Sequence, residues 1–188
     1  MEEAKSIRQA RQGDELAWSD LVRQHQTPIF RLAYLLLGDP DDAEDVAQES
    51  FIRAYKALDS FDTSRPLRPW LLRITANLAH NRQRSMGRYW AALKRFGRLQ
   101  DESTLHPEAP SEQALQAQTL REAVSRLKPS DQEVIYLRYF LDLSVEETAQ
   151  AIDTAPGTVK SRSHRALKRL RGLIERRYPS LKVGFIDE

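Results

Sequence analysis

The sequence contains no cysteine in its 188 residues. That excludes disulfides and thiolate metal sites, and it fits a reducing compartment. Long apolar runs are also missing. No stretch approaches the ~18 residues of a membrane helix, and the N-terminus lacks the apolar core of a signal peptide. A soluble, cytoplasmic protein without membrane insertion is therefore expected. Glycine is scarce, and none of the glycines forms a phosphate-cradling loop. The four histidines, His25, His80, His106 and His164, do not fall at metal-ligand spacing. No nucleophile–base pair stands out, and no carboxylate dyad does so beyond what 27 acidic residues produce by chance. Neither catalysis by the chain alone, nor a metal, nor a cofactor is expected. Strand-like alternation is scarce too, which leaves an all-α chain.

What is present is charge sorted into blocks. The formal net charge is only +2. Yet Asp39, Asp41, Asp42, Glu44, Asp45 and Glu49 fall in a stretch without a basic residue. The stretch from Thr63 to Gln100 has Arg65, Arg68, Arg73, Arg82, Arg84, Arg88, Lys94, Arg95 and Arg98 and no acid. Pro156–Tyr178 is again basic, with Glu175 its only acid. Blocks of opposite sign predict two kinds of partner, nucleic acid for the basic blocks and a basic protein surface for the acidic one.

Helix signals run along the chain. Asp14 caps a predicted helix reaching about Gln24, and Pro28 opens another that ends at Gly38. Asp39-Pro40-Asp41-Asp42 starts a third, with acids at its positive end and a core stripe of Ala43, Val46, Ala47, Ser50, Phe51, Ala54 and Leu58. Pro69 opens a fourth, to about Arg84, with Leu71, Ile74 and Leu78 inward. Tyr89, Trp90 and Phe96 lie in a basic segment beyond it. Residues 101–113, DESTLHPEAPSEQ, have linker composition. After it come a helix with Leu120, Val124 and Leu127, then one opened by a Ser130/Glu133 capping box. The expected architecture is two small helical domains joined by a flexible linker: residues 1–86, a linker over 87–113, 114–178, and a tail over 179–188.

The sharpest pattern is Ser144–Arg171. Ser144 and Glu147 make a capping box, and Val145, Ala149 and Ile152 give one apolar stripe. Asp153-Thr154-Ala155-Pro156-Gly157 breaks the helix, with Asp153 suited to a left-handed turn and Thr154 to a cap. Pro156 starts the next helix. In that helix Val159, Ala166, Leu167 and Leu170 face inward. Lys160, Ser161, His164, Arg165, Lys168 and Arg171 face outward. This is the pattern of a helix-turn-helix whose second helix enters the DNA major groove.

Three segments in order carry a resemblance. DAEDVAQESFIRAYKALDSFD (Asp42–Asp62), RPWLLRITANLAHNRQR (Arg68–Arg84) and the long segment Leu127–Arg171 resemble the polymerase-binding, promoter-melting and promoter-reading segments of bacterial sigma factors. The match is to the extracytoplasmic-function (ECF) group of the sigma-70 family, over about residues 14–175. The resemblance implies sigma region 2 over 1–86 and sigma region 4 over 114–178. The linker would then lie near the polymerase cleft and RNA exit path.

The resemblance also assigns roles. Asp42, Asp45, Gln48, Glu49, Ile52 and Lys56 would dock on the clamp coiled coil of the largest subunit of core RNA polymerase, with the flap as a further contact. Phe61, Arg68, Trp70, Asn77, Arg82 and Arg84 would hold the melted minus-ten strand, where cationic and planar groups grip unstacked bases. Thr158, Lys160, Ser161, Arg162, His164, Arg165, Lys168 and Arg171 would meet the minus-thirty-five duplex. Arg165 and Lys160 are the leading base readers; Lys168, Arg169 and Arg171 suit phosphates. Promoter DNA and an anti-sigma factor complete the implied partners. The chain departs from the family pattern at His80 and Asn81, where an apolar residue and Asp are usual. It departs again at Asp153, Thr154 and Ala155, where Gly, an apolar residue and Ser are common. The competing reading is a stand-alone helix-turn-helix regulator that binds a palindromic duplex as a dimer without polymerase.

Overall fold

The computed structural model describes residues 2–95 and 112–178. The expected linker core (96–111) and tail (179–188) lie outside the described residues. Everything else is helix and short turn, with no strand among the described residues. The N-terminal half comprises α1 (Glu2–Arg11), α2 (Glu15–Leu37), α3 (Pro40–Lys56), a 3-10 turn at Leu58–Ser60, and α4 (Leu67–Arg95). The C-terminal half comprises α5 (Glu112–Ser125), α6 (Pro129–Ile135), a π-helical turn at Tyr136–Phe140, α7 (Val145–Ala151) and α8 (Pro156–Arg177).

The predicted ends are largely chemical, and several are met. The Asp14 side chain accepts from the Leu16 and Ala17 N–H groups at 3.0 and 3.1 Å, capping α2. Gly38 closes α2 in the left-handed conformation, φ 80°, which a Cβ would penalise. Asp39 caps α3 through the Asp42 N–H at 2.9 Å. Ser144 and Glu147 form the predicted capping box, at 3.0 and 2.8 Å.

Other expectations fail for physical reasons. Pro28 does not open a helix; it sits inside the continuous α2. A proline there removes one helical hydrogen bond and costs about 3 kcal/mol. Leu21, His25, Ile29, Leu32 and Leu36 are buried before and after it, and this common stripe keeps the axis continuous. α4 starts at Leu67 and runs to Arg95, nine residues into the expected linker. The box at Ser130 does not form. Lys128 is the N-cap, Pro129 occupies the first turn, and the Gln132 amide donates to the Ser125 and Leu127 carbonyls at 2.8 and 2.7 Å. Ala155, not Thr154, caps α8, without a side-chain bond. Pro156 has no N–H to satisfy, so the cap has less to do.

α1 was not foreseen. It buries Ile7 and Ala10, and its Glu3 carboxylate accepts from His25 Nε2 and from the Leu67 N–H, each at 3.2 Å. One acid thus ties α2 to the first turn of α4. Helices α2, α3 and α4 pack mutually, and α8 packs on both α6 and α7. The two halves also touch, because α4 packs on α7. Buried apolar residues form one contiguous cluster through both halves.

Candidate functional site

Three surfaces emerge, on α3, α4 and α8. On α3 the predicted core residues Ala43, Val46, Ala47, Ser50 and Ala54 are buried. The opposite face therefore holds Asp45, Gln48, Ile52 and Lys56 in solvent, with Asp42 and Glu49 partly covered. Ile52 is 48% exposed, and Tyr55 beside it 46%. Trp18 of α2 packs against Tyr55 with ring centroids 5.1 Å apart. The six predicted residues do share one face. Tyr55 and Trp18 extend it, and the spacing of Tyr55 three residues after Ile52 would have revealed the former.

On α4 the predicted residues divide. Phe61 is buried beneath the start of the helix, its ring 4.7 Å from that of Trp70. Its role there is packing, and Trp70 rests on it. Asn77 is exposed. Arg82 donates from Nε to the Asp42 carboxylate at 3.0 Å and lies 3.8 Å from Asp45, so a residue assigned to DNA is paired with two assigned to polymerase. Arg84 donates to the Asn81 side-chain carbonyl at 2.7 Å. Arg68 donates from Nη2 to the Leu141 carbonyl of the C-terminal half at 2.7 Å. Arg73 was missed, although it stands one turn before Asn77 on the same face. It pairs with Asp153 at 2.8 Å.

His80 reaches Glu133 of α6 at 3.7 Å. The Glu133 carboxylate raises its pKa above the ordinary 6.5, against the opposing pull of desolvation. Burial lowers that of His25, although Glu3 pulls the other way. The Tyr136 phenol is pushed up to about 12 by burial in the C-terminal core.

On α8, Val159, Ser163, Ala166, Leu170 and Ile174 are buried. Lys160, Ser161, His164, Arg165 and Lys168 are exposed, with Thr158, Arg162 and Arg171 partly so. The helix starts after a turn in which Asp153 has φ 52°. Arg169 stands apart from the expected phosphate contacts: it donates to the buried Asp131 carboxylate at 2.5 Å and braces α8 against α6. Arg165, Lys168, Arg169 and Arg176 line a shallow basic groove around Gly172. No helix among the described residues is long and apolar enough to cross a membrane.

Comparison with known proteins agrees with this layout. Residues 21–89 match Sigma-70 region 2, and residues 117–170 match Sigma-70 region 4. The chain is 34% identical to the ECF RNA polymerase sigma factor SigW of Bacillus subtilis, over 89% of this chain and 94% of that protein. It is 35% identical to the ECF sigma factor SigE of Mycolicibacterium smegmatis, over 85% and 63%. The structure of the sigma factor RpoE of Bartonella quintana with the anti-sigma factor NepR is similar at a TM-score of 0.67. That likeness is 27% identical and covers 84% of this chain and 96% of that one. CnrH, solved with the cytosolic domain of CnrY, shares the fold at a TM-score of 0.72 and 24% identity, over 94% and 99%. With both regions matched in order and the α8 cationic face in place, the chain belongs to the ECF sigma factors of the sigma-70 family, which bind RNA polymerase and direct promoter-specific transcription initiation.

Proposed function

We propose that the three faces divide the work of initiation. The α3 face, Asp42, Asp45, Gln48, Glu49, Ile52 and Lys56, docks on the clamp coiled coil of core polymerase. Ile52 buries apolar area there, and the acids steer the encounter. The α4 face, with Arg68, Trp70, Asn77, Arg82 and Arg84, receives the melted minus-ten strand, and Phe61 supports Trp70 from below. Cationic groups offset phosphate charge while an amide and a ring engage unstacked bases. The α8 face reads the minus-thirty-five duplex. Arg165 and Lys160 contact base edges; Thr158, Ser161, Arg162, His164, Lys168 and Arg171 complete the contact with bases and phosphates.

In this reading residues 1–86 act as region 2, 87–113 as the connection and 114–178 as region 4. The protein works in the cytoplasm, carries no catalytic site of its own and leaves chemistry to the polymerase. An anti-sigma factor is the fitting regulatory partner, as RpoE of Bartonella quintana is bound by NepR.

The observation that carries this reading is the separation of charge. An acidic face on α3 and a cationic face on α8 lie on opposite halves of a chain that matches both sigma regions. Run-off transcription with core polymerase on a library of upstream regions tests it. Initiation should depend on the chain and disappear in the Asp45→Lys/Glu49→Lys variant. Duplex binding by the chain alone, with no initiation, would favour the stand-alone regulator.

A further inference from the structure

One face of α1 meets both ends of the loop that leads into α4. Glu3, Ile7 and Arg11 recur every four residues, so they share that face. Ile7, in the middle, is 1% exposed and joins the core. At the C-terminal end of α1, Arg11 donates from Nε to the Leu58 carbonyl at 2.9 Å and from Nη2 to the Phe61 carbonyl. At the N-terminal end, Glu3 Oε2 accepts from the Leu67 N–H at 3.2 Å. The other oxygen of Glu3 faces His25 Nε2, also at 3.2 Å, which holds the carboxylate in place. From residue 3 to residue 11 is about 12 Å of helix. α1 thus spans the base of the loop between Phe61 and Leu67.

The middle of that loop is set locally. Asp62 accepts from the Ser64 N–H at 3.0 Å and from the Ser64 hydroxyl at 2.7 Å, and the Arg65 N–H donates to the Asp62 carbonyl at 3.0 Å. Such bonds shape a turn, but they do not fix where the turn sits relative to α4. The ends do that. The first N–H groups of a helix have no partner within it, and Glu3, 64 residues away, accepts from that of Leu67. Its negative charge also suits the positive end of α4. The consequence falls on Phe61 and Trp70, whose rings are 4.7 Å apart. Phe61 is tied to α1 through its own carbonyl. Trp70 stands three residues after Leu67, in the first turn of α4. Both rings are therefore held from the same helix.

We propose that Glu3 and Arg11 are positioning residues for minus-ten recognition: α1 holds the Phe61–Leu67 loop and the Phe61–Trp70 pair in the geometry that receives an unstacked base. This role rests on the α4 face being the minus-ten reader. Neither residue touches the strand; both act through backbone atoms of the loop and of α4. A site held in this way spends less binding free energy on ordering itself, and a displacement of about 1 Å is enough to spoil a productive contact. Loss of either tie lets the loop drift relative to Trp70, so discrimination between bases falls. Polymerase docking is placed by other contacts, because α3 packs on α2 and α4.

The test is run-off transcription by the full chain with core polymerase, on two libraries built from one promoter found in the upstream-region experiment. One library is randomised at the minus-ten element, the other at the minus-thirty-five element. The variants are Arg11→Ala, Arg11→Lys and Glu3→Gln, and the affinity of each for labelled core is measured alongside. In Arg11→Ala the preference for the parental minus-ten sequence should fall roughly tenfold. Core affinity and minus-thirty-five preference should stay at the parental level. Arg11→Lys should recover part of the preference, because an ammonium can donate to one of the two carbonyls but lacks the fork that reaches both. Glu3→Gln should lose less than Arg11→Ala, because one acceptor oxygen remains. Parental minus-ten preference in an Arg11→Ala variant that binds core would overturn the positioning role. So would a parallel loss of core affinity and of preference at both elements, which would make α1 a support of the fold alone. The minus-ten reading itself is checked in the same libraries with Asn77→Ala. If that variant keeps the parental minus-ten preference, α4 is not the reader, and the positioning role falls for that reason instead.

Discussion

Arg169 Nη1 lies 2.5 Å from Oδ2 of Asp131, a carboxylate with only 1% of its side chain exposed. The pair joins α8 to α6, and Lys128 is the next cation, at 3.8 Å. The arginine is half exposed and the acid is not. The two substitutions are therefore unequal. Arg169→Ala leaves a buried carboxylate nearly uncompensated and should cost about 3 kcal/mol. Asp131→Asn keeps a hydrogen-bond acceptor and leaves a solvated arginine, and should cost about 1.5 kcal/mol. Thermal melts of the two variants check the order. An Arg169→Ala variant as stable as the parent would mean that Arg169 is not a brace.

The two histidines that face glutamates should give stability opposite pH dependences. His80 has a raised pKa, chiefly through the neighbouring Glu133 carboxylate. Its contribution is complete below the unfolded value of about 6.5 and is lost as pH rises through the higher folded value. His25 has a lowered pKa because of burial. Its contribution is complete above about 6.5 and is lost as pH falls through the lower folded value. Melts across pH 5 to 8, in about half-unit steps, should show His80→Gln flattening the alkaline side and His25→Gln the acid side. Swapped effects would contradict both assignments.

The helix-turn-helix was legible because each part of it is local. The Ser144/Glu147 box, the left-handed Asp153, Pro156 in the first turn and the Val159–Ala166–Leu170 stripe all depend on neighbours within a few residues. The α3 stripe was legible for the same reason. What could not be read was tertiary. The α1 apolar stripe is only Ile7 and Ala10, too thin to signal a helix by periodicity. Pro28 argued for a break, and packing on both sides overrode it. Glu133 looked like half of a cap but turned to His80, 53 residues away in sequence. The residues assigned to polymerase lie on α3, and those assigned to DNA lie on α4 and α8 except Phe61, which follows the 3-10 turn. Their cross-pairing, Asp42 with Arg82 and Arg73 with Asp153, is invisible to spacing.

The Asp42–Arg82 pair makes a distinct prediction. Arg82 is 46% exposed and Asp42 15%, so the pair should contribute at most about 1 kcal/mol to stability. Its larger effect should be on binding. Asp42→Asn releases Arg82 while removing one acid from the α3 face. Core-polymerase affinity should fall modestly, by about threefold, and minus-ten oligonucleotide affinity should rise by a similar factor. Arg82→Ala should weaken the oligonucleotide without weakening core binding. Titration of each variant against labelled core and labelled oligonucleotide separates the two effects. Parallel changes in both affinities would show that the pair only supports the fold.

On α8, position along the helix is expected to separate residues that choose sequence from residues that hold the backbone. Lys160 is exposed on the second turn of the helix and Arg165 toward its middle; the N-terminal residues of the second helix enter the groove in this motif. Lys168 lies farther along, in the shallow basic groove that Arg165, Arg169 and Arg176 also line. Arg165→Ala should cost about 1–3 kcal/mol on the preferred minus-thirty-five duplex and relax preference at one or two positions, because a base contact discriminates. Lys168→Ala should weaken all duplexes alike and reduce the slope of log affinity against log salt by about one. Binding to a randomised minus-thirty-five library at several salt concentrations reads both quantities at once. A sequence-selective loss in Lys168→Ala, or a uniform one in Arg165→Ala, would reverse the two assignments and move the base-reading turn beyond the middle of α8.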